Sequence, residues 1–111
     1  MNKIILIGNL GSDVEIKDAG TSKVGTVSLA TKDSYKDKNG EWVNNTDWHT
    51  LEVWGALGEA FAKYGKGSTV AIEGTQKNSS YDDKDGVKRF TSKVLVTSFE
   101  ILLKKEQGAA E

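Results

Sequence analysis

Two tryptophans lie six residues apart in the segment TDWHTLEVWG. In a β-strand successive side chains point to opposite faces, so Trp48 and Trp54 share one face, roughly 20 Å apart. His49 lies on the other face with Leu51 and Val53. Exposed rings at this spacing can stack the bases of one nucleic-acid strand, and each stacked base contributes about 1–3 kcal/mol whatever its identity. Aromatic residues on strands also occur in cores and at protein interfaces, and this segment alone does not decide between these interpretations.

Tyr81 is a third aromatic residue in a similar setting. It shares its strand parity with Lys77, and both lie opposite the apolar Val70 and Ile72. This later segment therefore also offers a ring and a cation on its polar face.

Trp42 lies six residues before Trp48, which is the spacing between Trp48 and Trp54. It joins their face if the strand continues unbroken, but Asn44 and Asn45 can interrupt it. The sequence leaves two roles open for Trp42, which either stacks a base at the hairpin or covers the stem of that hairpin.

Side chains suited to catalysis or to a metal site are scarce. The chain has one histidine and no cysteine. Strand parity places His49 on the buried face, where a structural or interface role is favoured over catalysis. A single histidine cannot form a zinc site. The glycine pairs at 8–11 and 65–68 lack the spacing of a phosphate-binding loop, and we interpret both segments as turns.

The segment DKDG, at residues 83–86, resembles part of a calcium-binding loop. However, Tyr81 and Ser92 stand where that loop would carry its first and last acidic ligands. We therefore interpret these charges as a solvated hairpin tip. The missing acidic ligands and the scarcity of catalytic groups together predict a protein that is not an enzyme and that holds neither a metal nor a cofactor.

Length and composition bound the remaining classes. A chain of 111 residues is long enough for one domain with a core. It shows no secretory signal pattern and no apolar run near the roughly 20 residues of a membrane helix, so we expect a cytoplasmic protein without a membrane partner. The 15 basic and 16 acidic residues give a formal net charge of −1. A polyanion would therefore be recognised through local arrangement rather than through overall charge.

The apolar pattern places these residues on strands with one helix between them. Strands are predicted at residues 3–7, 24–31, 46–55, 69–81 and 87–103. Between the third and fourth strands, an apolar stripe predicts a short helix that ends at Gly65. The residues of that stripe are Leu57, Ala60, Phe61 and Tyr64.

This order of elements predicts an all-β OB-fold, a five-stranded, partly open barrel with one short helix between strands 3 and 4. Asn39 and Gly40 mark one long hairpin, and residues 82–86 mark another. We expect the domain to cover residues 1–103 and a frayed tail to cover residues 104–111.

Five segments of the chain resemble one protein family in their order and spacing. They are NKIILIGNLGSDVEIK, SLATKDSYKDKNGEW, TDWHTLEVWGALGE, KGSTVAIEG and DDKDGVKRFTSKVLV, and they run from about Asn2 to Leu103. The strongest features are GNLG, DWH and the aromatic residue followed by glycine. With these features the chain resembles the bacterial single-stranded DNA-binding proteins of replication, recombination and repair.

That resemblance implies an OB-fold homotetramer that wraps single-stranded DNA and lies in the cytoplasm with the nucleoid. The stacking residues it implies are Tyr35, Trp48, Trp54 and Tyr81. The cations expected to complete the DNA site are Lys3, Lys17, Lys77 and Arg89. The residues expected at subunit contacts are Ile4, Leu6 and His49.

Tyr35 needs a local irregularity to join the other rings. Simple alternation places it on the face of Val27 and Leu29, away from Trp48. We therefore expect a twist or a bulge in its hairpin.

The chain carries fewer cations than the family usually has. The segment TQKNSS holds only Lys77, and each long hairpin balances three cations with three anions. Since each neutralised phosphate adds about −0.7 to the salt slope, we expect a shallow salt dependence, with affinity carried mainly by stacking.

The chain ends in LLKKEQGAAE, without the acidic and aromatic tip by which family members recruit replication and repair enzymes. Those enzymes are therefore an open question as partners. The ending fits a shortened chain, or a short paralogue from a plasmid, a phage or a chromosome.

Two other functions stay open. An OB-fold protein-interaction module, such as a primosome-type component, would use the tryptophans against a protein, and the loss of cations favours it. An oligosaccharide-binding OB-fold would also expose tryptophans, but the resemblance and the missing secretion signal count against it.

Overall fold

A computed structural model describes residues 1–105 as six strands and one short helix. The elements are, in order, β1 (Ile4–Leu10), β2 (Glu15–Ala19), β3 (Ser22–Lys36), β4 (Trp42–Trp54), α1 (Gly55–Phe61), β5 (Thr69–Asp82) and β6 (Lys88–Leu103). The five predicted strands are confirmed, and so is a helix between the third and fourth predicted strands, but α1 ends at Phe61, so Tyr64 and Gly65 lie in the loop that follows it. The structure also adds β2, which the sequence pattern did not predict. No helix in residues 1–105 is long and apolar enough to cross a membrane.

All strands belong to one sheet, in the order β1, β5, β6, β4, β3, β2. Neighbouring strands are antiparallel, except that β4 and β6 are parallel. At its end β1 also pairs with β3, where Asn9 lies opposite Ala30 and Leu10 opposite Leu29, so the sheet closes on itself. This connectivity, with the helix between β4 and β5, is that of the predicted OB-fold barrel.

The barrel interior is filled by the inward residues of the long strands. Leu29 on β3 and both Leu51 and Val53 on β4 have no exposed surface. Phe61 from α1 is equally buried, and its ring meets that of Phe99 edge to face, with 4.8 Å between centroids. Because the apolar residues alternate along each strand, the outward positions of the same strands are left for polar and aromatic side chains.

Gly8 permits the closure of the barrel. The segment from Gly8 to Gly11 was predicted as a turn, but β1 continues through Leu10. A Cβ at position 8 would overlap the carbonyl oxygen of Ala30 on β3. A residue without a side chain is therefore required where the two strands cross.

Two long hairpins extend beyond the barrel. The first arm is formed by residues 31–48 of β3 and β4, and the second arm by residues 77–93 of β5 and β6; none of these residues is buried. Their turns have the same geometry. Asp37 Oδ1 accepts bonds from the backbone N–H groups of residues 39 and 41, and Asp83 Oδ1 accepts bonds from those of residues 85 and 87. Each turn then has a glycine in the left-handed region, Gly40 at φ 80° and Gly86 at φ 78°.

The described chain ends beside the loop that follows α1. The buried Ser68 hydroxyl donates to the carbonyl oxygen of Lys105 over 3.0 Å and accepts from its N–H over 2.8 Å. Gly65 N–H also donates to that carbonyl oxygen. Of the tail predicted at residues 104–111, residues 106–111 lie outside the described residues.

Candidate nucleic-acid interface

A row of three tryptophans lies along the outer face of β4. The strand is unbroken from Trp42 to Trp54, so of the two possibilities left open by the sequence the continuous strand is the one observed. Asn44 and Asn45 pair with Ser34 and Asp33 of β3. Trp42, Trp48 and Trp54 therefore point to the same side of the strand, with 68%, 63% and 41% of their surface exposed. The predicted alternation along this segment is confirmed.

Trp48 rests on the backbone of a distant segment. A Cβ at Gly11 would lie 2.5 Å from Cζ3 of the indole, so only glycine leaves room for the ring in this position. A groove of about 470 Å³ opens beside the ring, and Lys32 and Lys66 line it. Sequence reasoning missed Gly11, Lys32 and Lys66 as parts of the site, because segments far apart in the chain bring them to Trp48.

Trp54 has a predicted cation on its side of the sheet. Val24 of β3 pairs with Trp54 on one side and with Lys17 of β2 on the other, so all three side chains share the outer face. Lys17 Nζ lies 3.6 Å from a carboxylate oxygen of Glu15. Lys17 is thus placed to reach a phosphate near Trp54 if it leaves this exposed ion pair.

Tyr81 lies on the second arm, directly across from Arg89. Arg89 Nε donates to Asp83 Oδ2 over 2.9 Å. The backbone N–H of Val87, then Arg89, then the N–H of Asp85 stabilise this carboxylate and lower the pKa of Asp83. The ring and the cation predicted for this site are therefore neighbours, but the cation is bound to the turn.

Lys77 lies across from a second cation. Its strand partner is Lys93, whose Nζ lies 2.9 Å from a carboxylate oxygen of Glu52. Glu52 stands between the tryptophans of β4, so this ion pair offsets a negative charge on the face that would meet DNA.

Tyr35 lies on the first arm, with half of its surface exposed. The pairing of β3 with β4 is continuous from Val24 to Lys36, so the predicted bulge is absent and strand twist is the remaining way to turn the ring. Tyr35 pairs with Val43, whereas Trp42 pairs with Lys36. The two rings therefore lie on opposite faces of the arm.

Lys3, the last of the predicted cations, also forms an ion pair, since its Nζ lies 3.1 Å from Glu73. Lys3, Lys17 and Arg89 are thus paired with carboxylates, and Lys77 has no such partner within residues 1–105. Exposed pairs of this kind contribute only about 0–1 kcal/mol, so they can be exchanged for a phosphate at small cost.

The residues predicted at subunit contacts have different environments. His49 is half-buried, with Nε2 2.9 Å from the hydroxyl of Thr31. Ile4 and Leu6 contact the core of their own chain. The side chains that β1 leaves exposed are Ile5 and Ile7, at 63% and 60%.

Comparisons with known proteins agree with this architecture. A model of the single-strand binding protein family matches residues 1–102. Single-stranded DNA-binding protein 1 of Xylella fastidiosa is 39% identical over 112 residues, covering 97% of this chain and 82% of that protein. The protein of the same name from Chlorobaculum tepidum is 35% identical over 111 residues, covering 97% of this chain and 68% of that protein. The Plasmodium falciparum SSB complex with ssDNA superposes with a TM-score of 0.82 at 28% identity, covering 95% and 96% of the two chains.

Proposed function

The chain belongs to the single-strand binding protein family, and we propose that it binds single-stranded DNA by stacking bases on exposed aromatic side chains. The row of tryptophans on β4 carries this proposal. Stacking is indifferent to base identity because every base has a π-face, so binding should tolerate any sequence. Such binding protects the single strands that form during replication, recombination and repair.

The proposed site extends across both arms. Trp48 and Trp54 form its centre, Tyr81 lies on the second arm, and the family resemblance adds Tyr35 on the first. Lys3, Lys17, Lys77 and Arg89 are the proposed phosphate contacts. Three of them form ion pairs, which supports a shallow salt dependence with affinity carried mainly by stacking.

We further propose that residues 1–103 form a DNA-binding domain that has no enzymatic activity. The membership in a family of DNA binders supports this proposal. Because it would act on DNA during replication and repair, we expect the protein in the cytoplasm, associated with the nucleoid.

We propose a homotetramer as the assembled form. The family membership supports it, as does the exposed pair Ile5 and Ile7 on β1. Within residues 1–105, no strand pairs with the second edge of β1 between Ile4 and Gly8. An open strand edge with apolar side chains is suited to contact with another copy of the chain.

Tryptophan fluorescence during titration with a long oligo-dT tests the proposed function directly. We expect strong, saturable quenching, which Trp48→Ala and Trp54→Ala each weaken, and little change between two salt concentrations. An oligosaccharide serves as the ligand control. If DNA at low salt causes no quenching, the rings face a protein instead, and the protein-interaction module becomes the better assignment.

A further inference from the structure

The two faces of the first arm carry opposite charges. Because β3 and β4 pair continuously, residues of equal parity share a face from position 31 to position 48. The face of Trp42 and Trp48 carries Lys32 and Lys36 and no carboxylate. The face of Tyr35 carries two carboxylates and no cation. The carboxylates of that face are Asp33 and Asp47.

The cations on the tryptophan face are available for a ligand. Neither Lys32 nor Lys36 forms an ion pair within residues 1–105, in contrast to most of the cations proposed above. Lys36 Nζ lies 5.7 Å from the centre of the Trp42 ring, at the distance of a cation–π contact. Trp42 thus presents a ring with a cation beside it.

The same face is continuous with the centre of the site. The groove beside Trp48 contains Lys32 and Lys66 and leads toward the arm. From there to Trp42 the strand covers about 20 Å, over which the outward residues are Thr46, Asn44 and their partners on β3. These side chains are polar and exposed, so a strand of DNA would meet no acidic or apolar barrier.

We propose that single-stranded DNA runs from Trp48 along this face of the first arm to Trp42. Trp42 stacks a base at the end of this path, and Lys32, Lys36 and Lys66 contact phosphates. The inference rests on the proposed function, and it adds Trp42 to the stacking residues of the first arm, on the face opposite to Tyr35.

The matched variants Trp42→Ala and Trp42→Phe test the path, since only the first of them removes the exposed ring from this position. Loss of one stacked base should weaken binding of a long, labelled oligo-dT about 5- to 150-fold for Trp42→Ala. Trp42→Phe keeps an aromatic ring at this position and should weaken binding less than about threefold. Fluorescence anisotropy gives the affinities, and circular dichroism checks that each variant is folded.

The salt slope tests the phosphate contacts. Replacing Lys32 and Lys36 by Gln should make the slope shallower by about 1.4, since each phosphate contact contributes about 0.7. The control replaces Asp33 and Asp47, which lie on the other face, by Asn. This variant should keep the salt slope of the unmodified protein, because no phosphate contact is lost. A length series of oligo-dT adds a second check, because Trp42→Ala should weaken only the oligonucleotides long enough to reach the arm.

Unchanged affinity in Trp42→Ala, or equal losses in Trp42→Ala and Trp42→Phe, would overturn the proposed path, as would an unchanged slope in the lysine variant. An equal effect of Trp42→Ala on the shortest oligonucleotides would also overturn it, because the ring would then act through the fold. Failure of the unmodified protein to bind DNA at low salt would instead refute the proposed function itself.

Discussion

At the scale of the residue, Trp48 shows how the position of an exposed ring depends on a residue far away in the chain. Strand alternation alone predicted that Trp48 points outward. The support under the ring comes from Gly11, which follows β1, and no local pattern connects the two. The outward direction of Trp48 was therefore predictable from the sequence, whereas the packing of its ring against Gly11 was not.

The two glycines of GNLG should respond differently to alanine. Gly11→Ala should displace the exposed Trp48 ring and weaken DNA binding severalfold, with a change of less than about 1 kcal/mol in unfolding free energy, because a side chain can move away. Gly8→Ala should cost about 1–3 kcal/mol or more, because its Cβ meets the backbone of Ala30. Urea unfolding and DNA titration of both variants check this contrast. If Gly11→Ala binds DNA with normal affinity, the packing of Trp48 against residue 11 is not required for binding.

At the scale of the element, the two arms are built alike. Residues 34–40 read SYKDKNG and residues 80–86 read SYDDKDG, so five of seven residues agree and both turns use the same aspartate geometry.

The arms were only partly predictable from the sequence. Glycine indicated the positions of the hairpin tips, but the sequence did not predict how far the two strands stay paired. Asn44 and Asn45 have weak strand preference, and their backbone pairing with β3 keeps them in the strand. The strand β2 was missed because EIKDA is short and mostly polar.

The second arm should lose order in acid. The pKa of Asp83 is lowered in the folded chain by the N–H of Val87 and by Arg89, so its carboxylate stabilises the turn above the unfolded value of about 4. This contribution is lost as the pH falls below about 4 and through the lowered pKa. NMR signals of Gly86 and Val87 should therefore shift toward disordered values in that range. Asp83→Asn is the control, and its turn signals should not respond there. Identical acid responses in both proteins would contradict this role of the carboxylate.

At the scale of the whole molecule, the arms give the chain an extended outline. Its radius of gyration is 16.0 Å, compared with about 13 Å for a compact domain of 100 residues. The barrel was predictable because its strands alternate cleanly and share one core. The surface that we propose for subunit contact was less predictable, since the run of isoleucine and leucine in β1 does not reveal which side chains face inward. Packing decides it, with Ile4 and Leu6 on the core and Ile5 and Ile7 outside.

The assembly should depend on this outer pair. Light scattering of the full chain should give about four times its 12.0 kDa mass. Ile5→Glu combined with Ile7→Glu should reduce that mass, because charges would replace the apolar contact while the core stays intact. Val87→Glu is a matched control on an exposed apolar residue of the second arm, and it should leave the mass unchanged. A doubly substituted protein that keeps the mass of the unmodified one would place the subunit contact elsewhere.

The position of the tryptophans also separates two optical signals of this protein. All three indoles are 41–68% exposed, while the core consists of aliphatic residues and Phe61. Native emission should therefore already resemble that of indoles in water, and denaturant should change it little. Unfolding would be nearly invisible in tryptophan emission and would have to be followed by far-ultraviolet dichroism. Emission changes would then report the ligand with little interference from the folding equilibrium.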